Sequence, residues 1–351
     1  MTLNPLFMLF RFVIAAIAGL WLAGSASQRA FSTETSGTSA QLRGVSAASD
    51  NVVWASGSQG TYLRTTDGGR VWTVGTVPDG SQLDFRDVEA VDANTAYLLA
   101  TAGKIFKTVD GGRNWTLQYN NSSRGVFLDA FAFWDSTHGI ALGDPINGSF
   151  LILSTSDGGS SWIPIPAARI PGAIDGEAAF AASGTCITAA GNGRVWFVTG
   201  GKAARVFRSS DYGKTWTVAE TPLVRGVDST GGFSIAFGDE SNGVIVGGDY
   251  KKPTVEEANA ALTRDGGVTW IPVKRRPGGY RSGVAYVPGT SVVIAVGEAG
   301  IDFSTDGGNT WMSVGKEGYH AVGISSSKAG WAVGSNGRIT KIEADGVSER
   351  R

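Results

Sequence analysis

Residues 304–311 read STDGGNTW, and the pattern occurs six times: TTDGGRVW at 65–72, TVDGGRNW at 108–115, TSDGGSSW at 155–162, SSDYGKTW at 209–216, TRDGGVTW at 263–270, and the quoted copy. Its aspartates, Asp67, Asp110, Asp157, Asp211, Asp265 and Asp306, are separated by 43, 47, 54, 54 and 41 residues. A hydroxyl, an aspartate and a pair of glycines make turn chemistry. The carboxylate accepts hydrogen bonds from nearby backbone N–H groups, and glycine supplies angles that other residues avoid. Recurrence at this period specifies a chain of like units stacked in an array or a ring.

Each unit reads as four short runs rich in β-formers. In the first they are LRGVSAA, NVVWASG, TYLRTT and RVWTVGTV, with the octapeptide between the third and fourth. That is a four-stranded antiparallel meander, one propeller blade. The innermost runs number seven: LRGVSAA, FRDVEAV, LDAFAFW, GEAAFAA, FSIAFGD, YRSGVAYV and HAVGISS. The last unit has three strands and a decayed octapeptide at Asp345 and Gly346, without tryptophan. The stretch RAFSTETSGTSAQ near the N-terminus supplies the missing strand and closes the ring, which removes the open edges. The expected fold is all-β: a single seven-bladed β-propeller over residues 28–346, with a tail at 347–351.

Composition agrees. Fifty-one glycines, 10% aromatic and only 17% charged residues suit short strands and tight turns. Thirty basic against 31 acidic side chains leave no charge excess to draw the protein to nucleic acid or an anionic membrane. Cys186 is the only cysteine, and His138 and His320 are the only histidines. A disulfide within the chain, a thiolate cluster and a multi-histidine metal site are thereby disfavoured, and no metal is expected. Residues 1–27 carry one positive charge, Arg11, then an apolar run and GSAS. They read as a secretory signal peptide, with an uncleaved membrane anchor as the alternative. The body is expected to be exported, periplasmic or extracellular, touching a membrane only through a partner or through that segment.

A meander sends its turns alternately to two faces. The octapeptides share one face with the turns between strands one and two. The other face, the mouth, collects the turns between strands two and three and the links between blades. The polar residues expected at the second-strand ends are Ser58, Thr101, Asp144, Asn192, Asp249, Glu298 and Ser335. The inner-strand starts add Arg43, Arg86, Asp129, Glu177, Ser234, Arg281 and His320. Together they predict a polarised mouth with Arg43, Arg86, Arg281 and His320 on one side and acids, Asp129 among them, on the other. Longer segments at 164–177, 191–205 and 249–260 are expected to raise a rim there, the last with a short helix from the capping pattern at 254–257. The mouth suits a partner protein or a small polar or carbohydrate ligand. Two of Glu177, Asp144, Asp249 and Glu298 are candidates for an acid–base pair in glycoside hydrolysis. Dinucleotide, P-loop, HExxH and nucleophile-elbow motifs are missing, and no cofactor is expected.

The octapeptide resembles the Asp-box, or BNR, repeat of sialidases, xyloglucanases and sortilin-type receptors. ARIP at 168–171 is similar to a sialidase motif but follows the third octapeptide instead of preceding the first. Blades such as GWAVGSNGRITKI and FRSSDYGKTWTV resemble the photosystem II assembly/stability factor family over nearly the whole mature chain. FAFWDSTHGIALGDP, GEAAFAASGTC and GYRSGVAYVPG look like a bacterial branch of it often labelled oxidoreductase. The resemblance implies a propeller that binds a protein partner without catalysis. A glycoside hydrolase is the alternative, and a redox role with an unidentified cofactor ranks third.

Overall fold

The structure, a computed structural model, describes residues 30–348. The signal-peptide reading of residues 1–27 therefore lies outside the described residues. Seven antiparallel sheets surround a central axis. The first blade is Leu42–Ala47, Val53–Gly57, Thr61–Thr65 and Thr73–Thr76, paired in that order. The inner strands neighbour one another around the ring: Leu42–Ala47, Phe85–Ala90, Leu128–Phe133, Ile187–Ala190, Thr230–Phe237, Gly283–Tyr286 and Ala321–Ser326. The second strands are almost wholly buried and the fourth strands largely exposed, so hydrophobic clusters form between blades.

The last blade is finished from the other end of the chain. Phe31–Glu34 pairs antiparallel with Ile339–Ile342, Phe31 opposite Ile342 and Glu34 opposite Ile339. Glu34 then reaches into the first blade, where its Oε2 accepts the Trp72 Nε1–H at 2.8 Å. Burial leads in pushing the Glu34 carboxyl upward, against the lowering effect of that bond.

Each octapeptide is tied the same way. In the third, the Thr155 hydroxyl donates to Asp157 Oδ1 at 2.8 Å and accepts the Gly159 N–H at 2.9 Å. Asp157 accepts the Ser161 hydroxyl at 2.6 Å and the Ser161 N–H at 2.9 Å. Those bonds, the Ser161 hydroxyl first, hold the Asp157 carboxyl down at about 2. The first glycine has a left-handed backbone, φ 67° at Gly158, where a side chain is strained. Its N–H bonds to the turn between strands one and two: Gly68 to Asn51 O at 3.0 Å, Gly158 to Thr137 O at 2.8 Å, Gly266 to Ser241 O at 2.9 Å. The motif also joins neighbouring blades. Tyr62 Oη donates to Gly112 O at 2.6 Å and Tyr97 Oη to Gly158 O at 2.7 Å.

The fourth blade departs from expectation. Its inner strand is Ile187–Ala190, not GEAAFAA, and its second strand is Arg194–Val198. Glu177–Ala178 instead pairs with Gly200–Gly201, which pairs with the fifth blade's inner strand. The reason is burial: counted back from Ser209, RVWFV is the run buried almost throughout, as the other second strands are. Most of segment 191–205 is therefore strand, with a turn at 191–193 and, at the mouth, Gly200–Gly201 pairing within the connection 199–204. No helix forms at 254–257, where the chain runs in turns and bends.

Asp306→Ala leaves the Ser304 and Thr310 hydroxyls and the Thr310 N–H without their acceptor. The expected cost is about 1–2 kcal/mol, read as a thermal midpoint lower by about 2–6 °C. An unchanged midpoint would contradict the turn-fixing role.

Candidate functional site at the propeller mouth

The inner strands carry a bulge near the mouth, and the bulged residue faces the axis. Arg43 is skipped between the pairs Leu42–Gly57 and Gly44–Ser56, Arg86 between Phe85–Ala100 and Asp87–Leu99, and Asp129 between Leu128–Gly143 and Ala130–Leu142. A bulge re-aims a side chain. The corresponding residues in the other blades, by register, are Thr185, Phe233, Ser282 and His320. So Arg43, Arg86 and His320 take the axial positions expected of them, whereas Asp129, at the same register, is fully buried and not on the mouth surface.

Three other expectations are corrected. Arg281 is fully buried, with Nε 2.6 Å from Asp302 Oδ2 and Nη1 2.8 Å from Tyr280 O, so it faces the blade interior and not the mouth. Asn192 lies on the opposite face. It sits in the turn between strands one and two of its blade, and its neighbour Gly193 accepts the Tyr212 N–H of the octapeptide at 2.9 Å. Glu177 is buried, ion-paired to Arg205, and also accepts the Thr199 hydroxyl at 2.5 Å and the Ile174 N–H at 2.9 Å. A carboxylate held on both oxygens has a structural role, which removes Glu177 from the acid–base candidates. Asp144, Asp249 and Glu298 do reach the mouth face. Asp144 accepts the Ala179 N–H at 3.2 Å and burial raises it to about 6. Asp249 lies 4.0 Å from Lys252 Nζ, and Glu298 is exposed.

Sequence reasoning missed a plug. Residues 179–185 cross the central channel and bond to four blades. The Ala179 N–H meets Asp144 of the third. Ala181 O accepts Arg86 Nη1 of the second at 2.9 Å, and the Ser183 hydroxyl donates to Ser282 O of the sixth at 2.6 Å. Thr185 Oγ1 lies 2.6 Å from Ser234 Oγ of the fifth. Gly184, at φ 75°, passes so close to the Asp87 carboxylate that no side chain fits. Phe180 stacks on Phe233 at 4.0 Å and 5°, and Tyr250 and Tyr280 complete an aromatic patch. The channel is thus floored, and the mouth is a shallow bowl.

Charge in the bowl is one-sided. Arg43 Nη1 lies 3.4 Å from His320 Nδ1, and His320 Nε2 lies 3.0 Å from Ser335 Oγ. Burial, then the charges of Arg43, Arg86 and Arg338, pushes the His320 imidazole down to about 3, so it is neutral at working pH. Arg86 is partly offset by Asp84 at 2.6 Å and Arg338 by Glu317 at 3.6 Å, whereas Arg43 makes no ion pair among the described residues, Asp84 and Glu298 acting on it only from farther off. Burial, with Arg86 next, lowers the Arg43 guanidinium below its ordinary value. On the far side, beneath the plug, burial drives Asp129 and Asp87 well upward, and Glu89 to about 7. Both Asp129 oxygens lack a full hydrogen bond, helped only by a loose approach of the Ala181 N–H.

No family model and no curated protein matches the chain. Solved structures do match in fold. YCF48 bound to D1 peptide superposes at a TM-score of 0.64 with 19% identity, covering 89% of this chain and 96% of that one. YCF48 from Cyanidioschyzon merolae gives 0.65 at 18% identity over 90% and 99%. The GH74 xyloglucanase from Xanthomonas campestris gives 0.64 at 15% identity, covering 90% of this chain and 54% of the enzyme. At these identities the likeness is one of fold.

Glu89 gives a test of the buried acids. Its carboxyl is raised in the folded state, so its contribution to stability is greatest below about pH 4 and is lost as pH rises towards about 7. Glu89→Gln should remove that part of the decline: its thermal midpoint gains on the parent's at pH 8 more than at pH 5. An equal difference at both pH values would contradict the assignment.

Proposed function

We propose that this chain is a binding scaffold whose mouth captures a carboxylate-bearing segment of a partner protein. The observation that carries the reading is the one-sided arc of Arg43, Arg86 and Arg338 around a floored bowl, with Arg43 making no ion pair among the described residues. A guanidinium without a carboxylate matches a carboxylate in two parallel hydrogen bonds. Beside it Phe180 and Tyr250, backed by the buried Phe233 and Tyr280, offer an apolar platform for the adjoining side chain. The neighbour YCF48, bound to a D1 peptide, supports a protein segment as the occupant. A small polar carboxylate would compete for the same groups. The role needs no catalytic pair, and the burial of Glu177 weakens the hydrolase alternative. The pattern of residues 1–27 supports placing the scaffold outside the cytoplasm.

The test is fluorescence anisotropy of a labelled acidic peptide with a free C-terminal carboxylate. Arg43→Glu should weaken binding by about tenfold or more, and Arg43→Glu with Arg86→Glu further, with affinity falling as salt rises. His320 stays neutral between pH 5 and 8, so a change in affinity over that range should follow Asp144, which ionises at about 6 and adds a negative charge at the mouth that weakens binding. Unchanged affinity in the double variant would overturn the reading.

A further inference from the structure

We infer a second ligand site, on the face opposite the mouth, in the groove between the third and fourth blades, and assign it to a pyranose ring of a polysaccharide. The groove opens where an interblade clamp, built in three other blades, is missing. In the first blade Trp54 pairs across strands with Arg64, whose charge lies over the indole at 5.6 Å and whose Nη1 reaches Gly111 O of the next octapeptide at 3.3 Å. Tyr97 and Lys107 repeat this in the second blade, at 5.0 Å and with Nζ 2.7 Å from Gly158 O. Trp331 and Lys341 repeat it in the seventh, at 5.6 Å and with Nζ 3.1 Å from Gly68 O. The fifth and sixth blades lack the clamp too, with Val244 and Leu262, and Ile294 and Phe303, at that register; in the third blade the register holds Ile140 and Ser154. With neither a ring nor a cation to fill it, a cavity of about 500 Å³ opens there.

The octapeptide facing that cavity is also the exception among the six. It reads SSDYGKTW, and Tyr212 takes the left-handed backbone, φ 61°, that glycine supplies in the other five. A tyrosine held there is strained, and strain retained at one of several equivalent positions points to use. Tyr212 is 38% exposed, and its ring stands 5.2 Å from both Trp134 and His138, at 61° and 46°. The three rings form a corner and not a parallel slot. A corner leaves an outward ring face for the apolar C–H groups of a saturated ring. Around it lie the hydroxyls of Ser156 and Ser161 and the ammonium of Lys214, polar groups suited to ring hydroxyls. Lys214 forms no ion pair among the described residues, which favours a ring that carries a carboxylate. His138 Nδ1 is held by Asp135 at 2.9 Å, leaving Nε2 as the ring nitrogen for a ligand.

The full chain is titrated calorimetrically with hexagalacturonic acid and with cellohexaose. Saturable binding of the acidic oligomer is expected, with the neutral one weaker. Tyr212→Gly, which restores the residue of the other octapeptides, should lose at least tenfold in affinity while its thermal midpoint stays within about 3 °C of the parent. Lys214→Ala should erase the preference for the acidic oligomer. Arg43→Glu should bind both as the parent does, which separates this site from the mouth. Failure of both oligomers to bind, or unchanged binding in Tyr212→Gly, overturns the proposal. A large fall in the Tyr212→Gly midpoint would mark the ring as a structural filler and overturn it too.

Discussion

A ring of sheets has no stable partial form: each blade buries its faces against two neighbours, so the seam must be closed. Here the seam is the four-residue pairing of Phe31–Glu34 with Ile339–Ile342. The strand from the N-terminus completes the seventh blade, and Glu34 crosses to Trp72 of the first. Without that pairing Ile339–Ile342 becomes an open edge, and Leu42–Ala47 loses the well-ordered neighbour that fixes its bulge at Arg43. The geometry of the mouth therefore depends on a contact distant from it in sequence.

The octapeptide answers a local need and a global one with the same atoms. Its hydroxyl and carboxylate absorb the N–H groups of a tight turn, as at Thr155 and Asp157. That leaves glycine carbonyls free to accept donors from the preceding blade, as Gly112 and Gly158 do. The tryptophan bonds variably, which fits its covering role: Trp216 and Trp311 donate to Gly213 and Gly308, Trp72 donates to Glu34, and the Nε1 atoms of Trp115, Trp162 and Trp270 are buried without a partner.

Periodicity made the blades legible, because the octapeptide marks the end of each third strand and the rest can be counted back from it. The fourth blade was misread for a physical reason. GEAAFAA has the look of an inner strand, yet Ala179 and Ala181 are buried, and Phe180 half-buried, by crossing the channel and not by joining the blade's sheet. The usable signal was Trp196, placed before its octapeptide much as Trp54 and Trp331 sit in their blades. That count would have put Asn192 on the octapeptide face and Thr185 at the axis. Arg281 was lost by one residue of register: Ser282 takes the axial position, and Arg281 turns inward to Asp302. The plug itself leaves little trace in sequence beyond Gly184, because its contacts are to four separate blades.

The flooring of the channel decides what kind of site the mouth is. A through-channel offers a ligand walls on all sides, whereas a bowl offers one surface, and here that surface is cationic on one flank and aromatic on another. The most direct test is native-state hydrogen exchange of the amides in Phe31–Glu34, compared with those of core strands such as Ala96–Ala100. The account predicts that both sets open only with global unfolding and share one free energy of exchange. Rapid exchange of the N-terminal strand, with the core still protected, would show that the ring stands without its seam and would contradict it.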